Sequence, residues 1–516
     1  MEMIEVTPSR FKLPPYKHQL HGVKRLVSSP VYGLFWKMRL GKSKCVIDTA
    51  CTLFEAKEID TLLVVAPAQV KDVWLDKNFG ELATHDWSGA KTYDYRKLNS
   101  LVLPHGKPAY VVASVEYLRQ QGPDDNFPFV DNLLAALAGR SVWFVFDEGS
   151  VLGNWKSKQT KAMIELRNGD PIKRVTLLDG TPEGNSHLSY YSKFKLLNKE
   201  ILGCKSFYHY RARYSETAKV PHKWKTDEKT GERKPVATHI EVIKRKNEED
   251  FARRTAPYCE YLADALDMPV KVPAVLPVAL SEKAWKVYCS MRDELVAEID
   301  NGVCAVGHAA VKCIRLAQIC AGFLGGVALF PQMKFNPINY DIVDSQTIEV
   351  HDAPTEMLMG WLAQRFEEQP DFKCVVWSRF VPEIERLEQR LVKESIHYGL
   401  LYGEKKLGHN LLHPASSYTG PLVLVAQPQA AKYGLNLSKA DTAVYLSQDY
   451  DRVTRSQSED RIQATGVRKT SLLADVIVTG PRGQKTVVHD IVASVRAKEE
   501  AEKRTAQDWK RVLLEE

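Results

Sequence analysis

A chain of 516 residues with 44% hydrophobic and 26% charged content has the makeup of an ordinary water-soluble protein, with length enough for roughly two to four domains. No run of about twenty apolar residues suggests a membrane span. No basic start followed by an apolar stretch suggests a secretory leader, and nine cysteines without C-x-x-C or Cys/His ligand spacing argue against a disulfide framework or zinc site. A net charge of +7 permits a polyanionic partner without demanding one.

Pro15-Tyr16…Gln19 precedes a helical pattern of Leu20, Val23, Leu26 and Val27. An aromatic with a Gln just upstream of a phosphate loop can clamp and read adenine; the alternative is a solvent-facing helix residue. The apolar run from Tyr32 then enters a loop ending Leu40-Gly41-Lys42-Ser43-Lys44, after which a helix-like pattern begins. Backbone N–H groups at such a helix start cradle phosphate, a Lys reaches the terminal phosphates and a hydroxyl ligates Mg²⁺. The pattern is incomplete, because Trp36 stands at the position of the first Gly of G-x-x-x-x-G-K-[ST].

Strand-like runs follow at Thr61–Ala66, ahead of Trp74 on a helix, at Tyr110–Ser114 and at Val142–Phe146. The last ends in Asp147-Glu148, a pair suited to holding Mg²⁺ through water and to polarising an attacking water. A further run, Arg174–Leu178, leads into Asp179-Gly180-Thr181-Pro182. Strands alternating with helices and loaded at their C-terminal ends predict a parallel, doubly wound α/β sheet with its site along that edge.

From Tyr208 to Lys246 aromatic and basic residues interleave, with Lys223-Trp224-Lys225 before a polar turn, which predicts a basic hairpin that neutralises phosphates and wedges or stacks against bases. A solvated surface hairpin is the alternative. Lys283–Gly322 reads as helical, and Gly325–Val350 as a loop-rich connector. A second α/β series begins with a helix at Met357–Phe366 and a strand at Lys373–Trp377 ending Ser378-Arg379. It continues through strands at Pro421–Ala426 and Ala443–Leu446, and Val487–Glu516 reads as a charged helix.

In order, these segments resemble the helicase superfamily 2 ATPases, and among them the Swi/Snf-type translocases. Pro15-Tyr16…Gln19 resembles the Gln motif, Met38–Ser43 the P-loop, Val65-Ala66-Pro67…Trp74 motif Ia, and Ser114-Val115-Glu116 motif Ib. Asp147-Glu148-Gly149-Ser150 resembles the DEAH-like box, and Asp179-Gly180-Thr181-Pro182-Glu183-Gly184-Asn185 motif III. Ser378-Arg379 falls in motif IV, Gly434-Leu435-Asn436 in motif V, and Gln457…Asp460-Arg461 in motif VI.

The resemblance implies two RecA-like P-loop lobes with helical and hairpin insertions: lobe 1 over 1–200, the basic hairpin over 201–270, a helical protrusion and linker over 271–350, and lobe 2 over 351–516. It implies ATP and Mg²⁺ as cofactors, with Gln19, Leu40, Gly41, Lys42, Ser43, Lys44, Gly434 and Arg461 around the nucleotide and Ser43 and Asp147 at the metal. Lys42, Asp147, Glu148 as general base and Arg461 as arginine finger would carry catalysis. Ser114, Lys223, Trp224, Lys225, Arg379 and Asn436 would meet DNA. The implied activity is an ATP-dependent translocase on double-stranded or forked DNA, serving replication, repair or recombination in the cytoplasm of a bacterial or phage-infected cell. No membrane partner or histone-reading module is expected.

Three departures qualify this. Arg39 replaces the middle Gly of the family's P-loop, Asp179 replaces a Thr of motif III, and Ala464 replaces the second arginine of motif VI, with Arg468 four residues on as a possible substitute. They keep two alternatives open: a fork-remodelling, unwinding or annealing helicase, and a nucleotide-gated DNA-binding protein with weak hydrolysis.

Overall fold

The computed structural model describes residues 4–78, 80–97, 102–104, 106–226, 233–263, 265–266, 268–299, 302–305, 309–329, 346–430, 435–464 and 470–515. They divide into two compact units, Met1–Leu266 with Lys498–Glu516, and Asp267–Ala497.

In the first unit α1 (Lys17–Ser28) leads into β1 (Val31–Trp36) and α2 (Lys42–Glu55). Then come β2 (Thr61–Ala66), α3 (Ala68–Leu75), α4 (Glu81–His85), β3 (Lys91–Asp94), β4 (Ala109–Ser114), α5 (Val115–Leu118) and α6 (Pro128–Ala136). After β5 (Val142–Phe146) follow α7 (Lys158–Arg167), β6 (Ile172–Leu178), α8 (Tyr190–Leu197) and α9 (Phe207–Tyr214). The hairpin β7 (Ser215–Thr226) and β8 (Arg233–Arg245), then α10 (Glu248–Thr255) and β9 (Cys259–Leu262), complete it.

Seven of these strands form one sheet in the order β3-β4-β2-β5-β6-β1-β9, every pairing parallel. Side chains alternate across a strand. Leu63 and Val65 accordingly enter one core with Phe35 and Val111, while Leu62 and Val64 enter another with Trp36 and Val112. Burial on both faces is why these strands read as unbroken apolar runs rather than alternating ones. The expected basic hairpin is present as the antiparallel pair β7/β8.

The second unit opens with β10 (Val270–Ala279), α11 (Glu282–Asp293), β11 (Val296–Ile299), β12 (Gly302–Ala305), α12 (Ala309–Cys320), β13 (Phe323–Leu329) and β14 (Gln346–Glu349). It continues with α13 (Ala353–Glu368), β15 (Lys373–Trp377), α14 (Val381–Lys393), β16 (Tyr398–Tyr402), β17 (Lys405–Leu407), β18 (Leu422–Ala426) and β19 (Thr442–Tyr445). Last are α15 (Arg452–Asp460), β20 (Thr470–Thr479) and α16 (Val487–Glu515). Its sheet runs β10-β20-β19-β15-β18-β16-β17, parallel except for the β16/β17 edge. Cys374 and Val376 face one core and Val375 and Trp377 the other, so this unit is doubly wound as well. The two parallel α/β bodies expected from the sequence are both present.

Two expectations need correction. The stretch Lys283–Gly322 is not continuously helical, because β11 and β12 stand between α11 and α12. The dipeptide Asn301-Gly302 is the hairpin signal that the helical reading passed over. The connector Gly325–Val350 holds most of β13 and all of β14, which extend β11 and β12 into a four-stranded antiparallel sheet.

Candidate functional site

The loop between β1 and α2 turns on two left-handed residues, Arg39 (φ 66°) and Gly41 (φ 79°). Gly41 must be glycine for a second reason: a Cβ there would lie 2.2 Å from Gln19 Nε2. Arg39 has the conformation that glycine usually fills, at a strain of roughly 1–2 kcal/mol. The departure thus keeps the turn and carries its strain.

Gln19 is buried rather than solvent-facing. Its Oε1 accepts from the Tyr16 backbone N–H at 3.0 Å, and its Nε2 donates to the Leu40 carbonyl at 3.3 Å, so it ties the start of α1 to the loop. His18 Nε2 lies 2.9 Å from the same carbonyl. The Leu40 side chain is buried in the core beside the loop. Lys42 Nζ donates to the carbonyls of Trp36 (2.8 Å) and Lys37 (3.4 Å), which holds the ammonium against the inside of the loop. Lys44, buried, pairs with Asp48 at 2.5 Å and lies 5.2 Å from the Phe11 ring centre. Above the loop opens a cavity of about 450 Å³, the size of a small-molecule site. It is bounded by Leu13, Pro14, Tyr16 and Gln19, by Arg39 and Gly41 to Lys44, and by Glu81 and His85.

At the end of β5 the Asp147 N–H continues the sheet by donating to Val65 at 2.9 Å. Asp147 Oδ2 accepts from Trp74 Nε1 at 2.9 Å, and Oδ1 accepts from the Glu148 N–H at 2.9 Å. Burial raises the Asp147 pKa above the usual carboxylate range, while the Trp74 N–H and the charge on Lys42 pull the other way. Glu148 is left-handed too (φ 65°), an unusual conformation of the kind that clusters at functional sites. Burial first, then the charges on Asp179 and Asp147, push its pKa up to about 6, and Ser150 Oγ donates to its Oε1 at 2.9 Å.

Asp179, the motif III departure, is explained by a partner. Lys193 Nζ on α8 meets Asp179 Oδ2 at 2.7 Å with both side chains fully buried, and also donates to the Pro182 carbonyl at 2.5 Å. Asp179 Oδ1 accepts from the Thr181 N–H at 2.9 Å. Gly149 leaves room for this carboxylate, since a Cβ would come within 2.8 Å of Oδ2. Beyond the pair, Glu183 is ion-paired to Arg245 at the root of the hairpin, and Arg245 Nη1 donates to Thr505 Oγ1 at 2.7 Å on α16.

The loop and the acidic pair thus lie together in the first unit, with Asp147 and Glu148 both in the field of Lys42. Ser114 is buried, and its hydroxyl accepts from the Tyr117 N–H at 3.3 Å, capping α5. The side chains of Lys223, Trp224 and Lys225 lie outside the described part of the hairpin. In the second unit Arg379 packs over the Phe380 ring at 5.3 Å and lies 4.0 Å from Asp449. Asn436 Oδ1 accepts from the Ser438 N–H at 3.3 Å, and Arg461 Nη1 donates to the Leu435 carbonyl at 3.2 Å. Gly434 and Arg468 lie outside the described residues.

Sequence reasoning missed Glu81, Lys193 and Arg455. Arg455 binds Asp475 (2.5 Å) and Glu459 (2.7 Å) and lies 3.4 Å from the centre of the Tyr445 ring. Burial opposes ionisation of Glu459, yet Lys271 and Arg455 hold its pKa down to about 2. No motif marks these residues, because their partners are distant in the chain.

No family model matches the chain. It is similar to an uncharacterised ATP-dependent helicase of Mycoplasma genitalium, 22% identical over 504 residues, 95% of this chain and 42% of that protein. Its counterpart in Mycoplasma pneumoniae is 21% identical over 364 residues, 69% of this chain and 30% of that protein. Human TATA-binding protein-associated factor 172 is 21% identical over 458 residues, 82% and 24% of the two chains. The chain therefore spans between about a quarter and two fifths of the length of these relatives. Two of them are named ATP-dependent helicases, in agreement with the order of motifs in the sequence. Among solved structures it is similar to a Sulfolobus solfataricus SWI2/SNF2 ATPase core in complex with dsDNA, with TM-score 0.41 and 16% identity over 100% of this chain and 97% of that one. The SWI2/SNF2 ATPase core domain of the same organism gives TM-score 0.37 and 17% identity over 93% and 88%.

Proposed function

We propose that the chain is a Swi/Snf-type ATPase of helicase superfamily 2 that hydrolyses ATP and translocates along double-stranded DNA, in replication, repair or recombination. The observation that carries this reading is the buried pair Asp147 and Glu148 facing the loop lysine, with Glu148 held near pKa 6. A group that only binds nucleotide has no use for a base poised close to neutral pH. The ATP-dependent helicases among the relatives support it.

The N–H groups at the start of α2 and the left-handed turn at Gly41 would receive the phosphates. Lys42 would exchange the Trp36 and Lys37 carbonyls for the terminal phosphate. The donor set near Lys42, a hydroxyl and carboxylates, is all hard oxygen and fits Mg²⁺: Ser43 would ligate it and Asp147 would hold it through water, each Asp147 oxygen having one N–H partner already. The ion would neutralise charge developing on the phosphates. Glu148 would take the proton of the attacking water, and Arg461 would stabilise transition-state charge. The basic β7/β8 hairpin, Arg379 and Asn436 would face DNA. Gln19 would read adenine from the loop side of the cavity. The left-handed Arg39 keeps the P-loop turn, which favours turnover over the nucleotide-gated binder.

The test is the steady-state ATPase rate without nucleic acid and with single-stranded DNA, double-stranded DNA or RNA, alongside Glu148→Gln. Stimulation by duplex that vanishes in Glu148→Gln is expected. Stimulation mainly by forks or single strands supports a fork-remodelling or unwinding enzyme instead, and ATP binding without turnover on any substrate supports the binder.

A further inference from the structure

Glu81, the first residue of α4, has no place in any motif, yet its side chain lines the same cavity as Arg39, Lys42 and Ser43. Protein encloses most of it and 31% of its surface stays open. Among the described residues its one polar partner is His85 Nε2, one helical turn on, at 3.6 Å. That contact is not an ion pair at neutral pH. Burial, then the charges on Lys44 and Lys12, push the His85 pKa down to about 4, and its buried Nδ1 has no hydrogen-bond partner. Glu81 is therefore a carboxyl without a good donor, set in the mouth of a site. Such a group is costly unless a ligand supplies the donors.

The position of Glu81 narrows what that ligand is. Burial and the charge on Asp147 raise its pKa to about 7, and Lys42 opposes them, so Glu81 shares the field of the Lys42 and Asp147 end of the cavity rather than the Tyr16 and Gln19 end. A triphosphate offers a carboxylate no donor and repels it. Water on a divalent cation offers two donors per molecule. Among the described residues no group of three or more His, Cys, Asp and Glu could hold a metal unaided, so an ion here keeps several waters, as Mg²⁺ characteristically does. Asp147, with both oxygens partly used, can satisfy only some of those donors.

We propose that Glu81 is a positioning residue for the hydrated Mg²⁺ that accompanies the nucleotide, its carboxylate accepting hydrogen bonds from metal-bound water on the side away from Trp74. This rests on the nucleotide-site reading above and adds to it a residue that no motif assigns. Acceptors of this outer kind typically change metal affinity 10- to 100-fold when removed.

The experiment uses the full chain with a non-hydrolysable ATP analogue and counts bound Mn²⁺ by electron paramagnetic resonance, while analogue affinity is measured separately in EDTA. Glu81→Gln and Glu81→Ala are expected to weaken Mn²⁺ binding to the protein–nucleotide complex by about 10-fold or more. Affinity for the metal-free analogue should stay the same or rise, since a negative charge has left the mouth. Unchanged Mn²⁺ affinity in both variants overturns the inference while leaving the nucleotide site intact, and so does an equal loss with and without metal, which indicates a ribose contact. Wild-type protein that binds no analogue at all overturns the inference and the function together.

Discussion

Lys193→Met is the sharpest test of how the acidic loop is held. The methionine keeps the apolar stem but removes the ammonium, which makes two contacts, to Asp179 Oδ2 at 2.7 Å and to the Pro182 carbonyl at 2.5 Å, where neither charged side chain is exposed. Removing one partner of a wholly buried ion pair costs about 3–5 kcal/mol, because the other charge stays behind uncompensated. Replacing both together is far cheaper. Lys193→Met with Asp179→Thr, the residue usual at this point of the motif, should recover all but about 1 kcal/mol, the lost bond to Pro182. A chain of two units does not unfold in a single step, so the readout is amide hydrogen exchange of peptides covering β6 and α8. At tenfold per 1.4 kcal/mol, the single variant should exchange roughly 100- to 4,000-fold faster than wild type. A double variant as labile as the single one, or a single variant within tenfold of wild type, refutes the reasoning. Asp179→Thr also takes away a charge that raises Glu148, so the acidic limb of the pH–rate profile should move to lower pH.

Glu148→Gln should abolish turnover but not nucleotide binding, and in wild type the rate should rise with pH through a midpoint near 6, as the base loses its proton. Stability follows the opposite sign: the folded pKa exceeds the unfolded value, so the Glu148 contribution is greatest when protonated and falls as pH climbs from about 4.5 to about 6. Arg39→Gly should be neutral to slightly stabilising, relief of strain offsetting the freedom of an unfolded glycine, whereas Arg39→Val should cost more than 1 kcal/mol, roughly, in thermal unfolding. Trp74→Phe retains the ring and deletes the N–H to Asp147 Oδ2; a ring kept in place predicts little loss of stability but a shifted Mg²⁺ dependence of ATPase.

Much of the architecture was legible because strands buried on both faces announce themselves as apolar runs, as Leu62–Ala66 and Val142–Phe146 do. The loop and the Asp147-Glu148 pair were legible because their function needs contiguous residues. What stayed hidden was set by pairing at a distance. Nothing near Asp179 announces that Lys193, on a helix beyond the loop, will neutralise it. Gln19 was visible as a helix residue, but its inward orientation follows from the missing Cβ of Gly41 and the Leu40 carbonyl. Glu81 became notable only once α4 set it beside the loop.

The helix α16 starts in the second unit and finishes in the core of the first. There Trp509 packs on Phe35, Tyr190 and Phe251 and donates to Thr255 Oγ1 at 2.8 Å. For a chain emerging from the ribosome this sets an order of events. Thr255 and Trp509 are 254 residues apart, roughly 13–50 s of synthesis at ordinary elongation rates. Throughout that interval the nascent first unit presents an aromatic socket with no occupant, while the second unit, continuous in sequence, has all its strands and can close first. The unit synthesised earlier is thus the one completed later, and the vacant socket is where a chaperone would hold the growing chain.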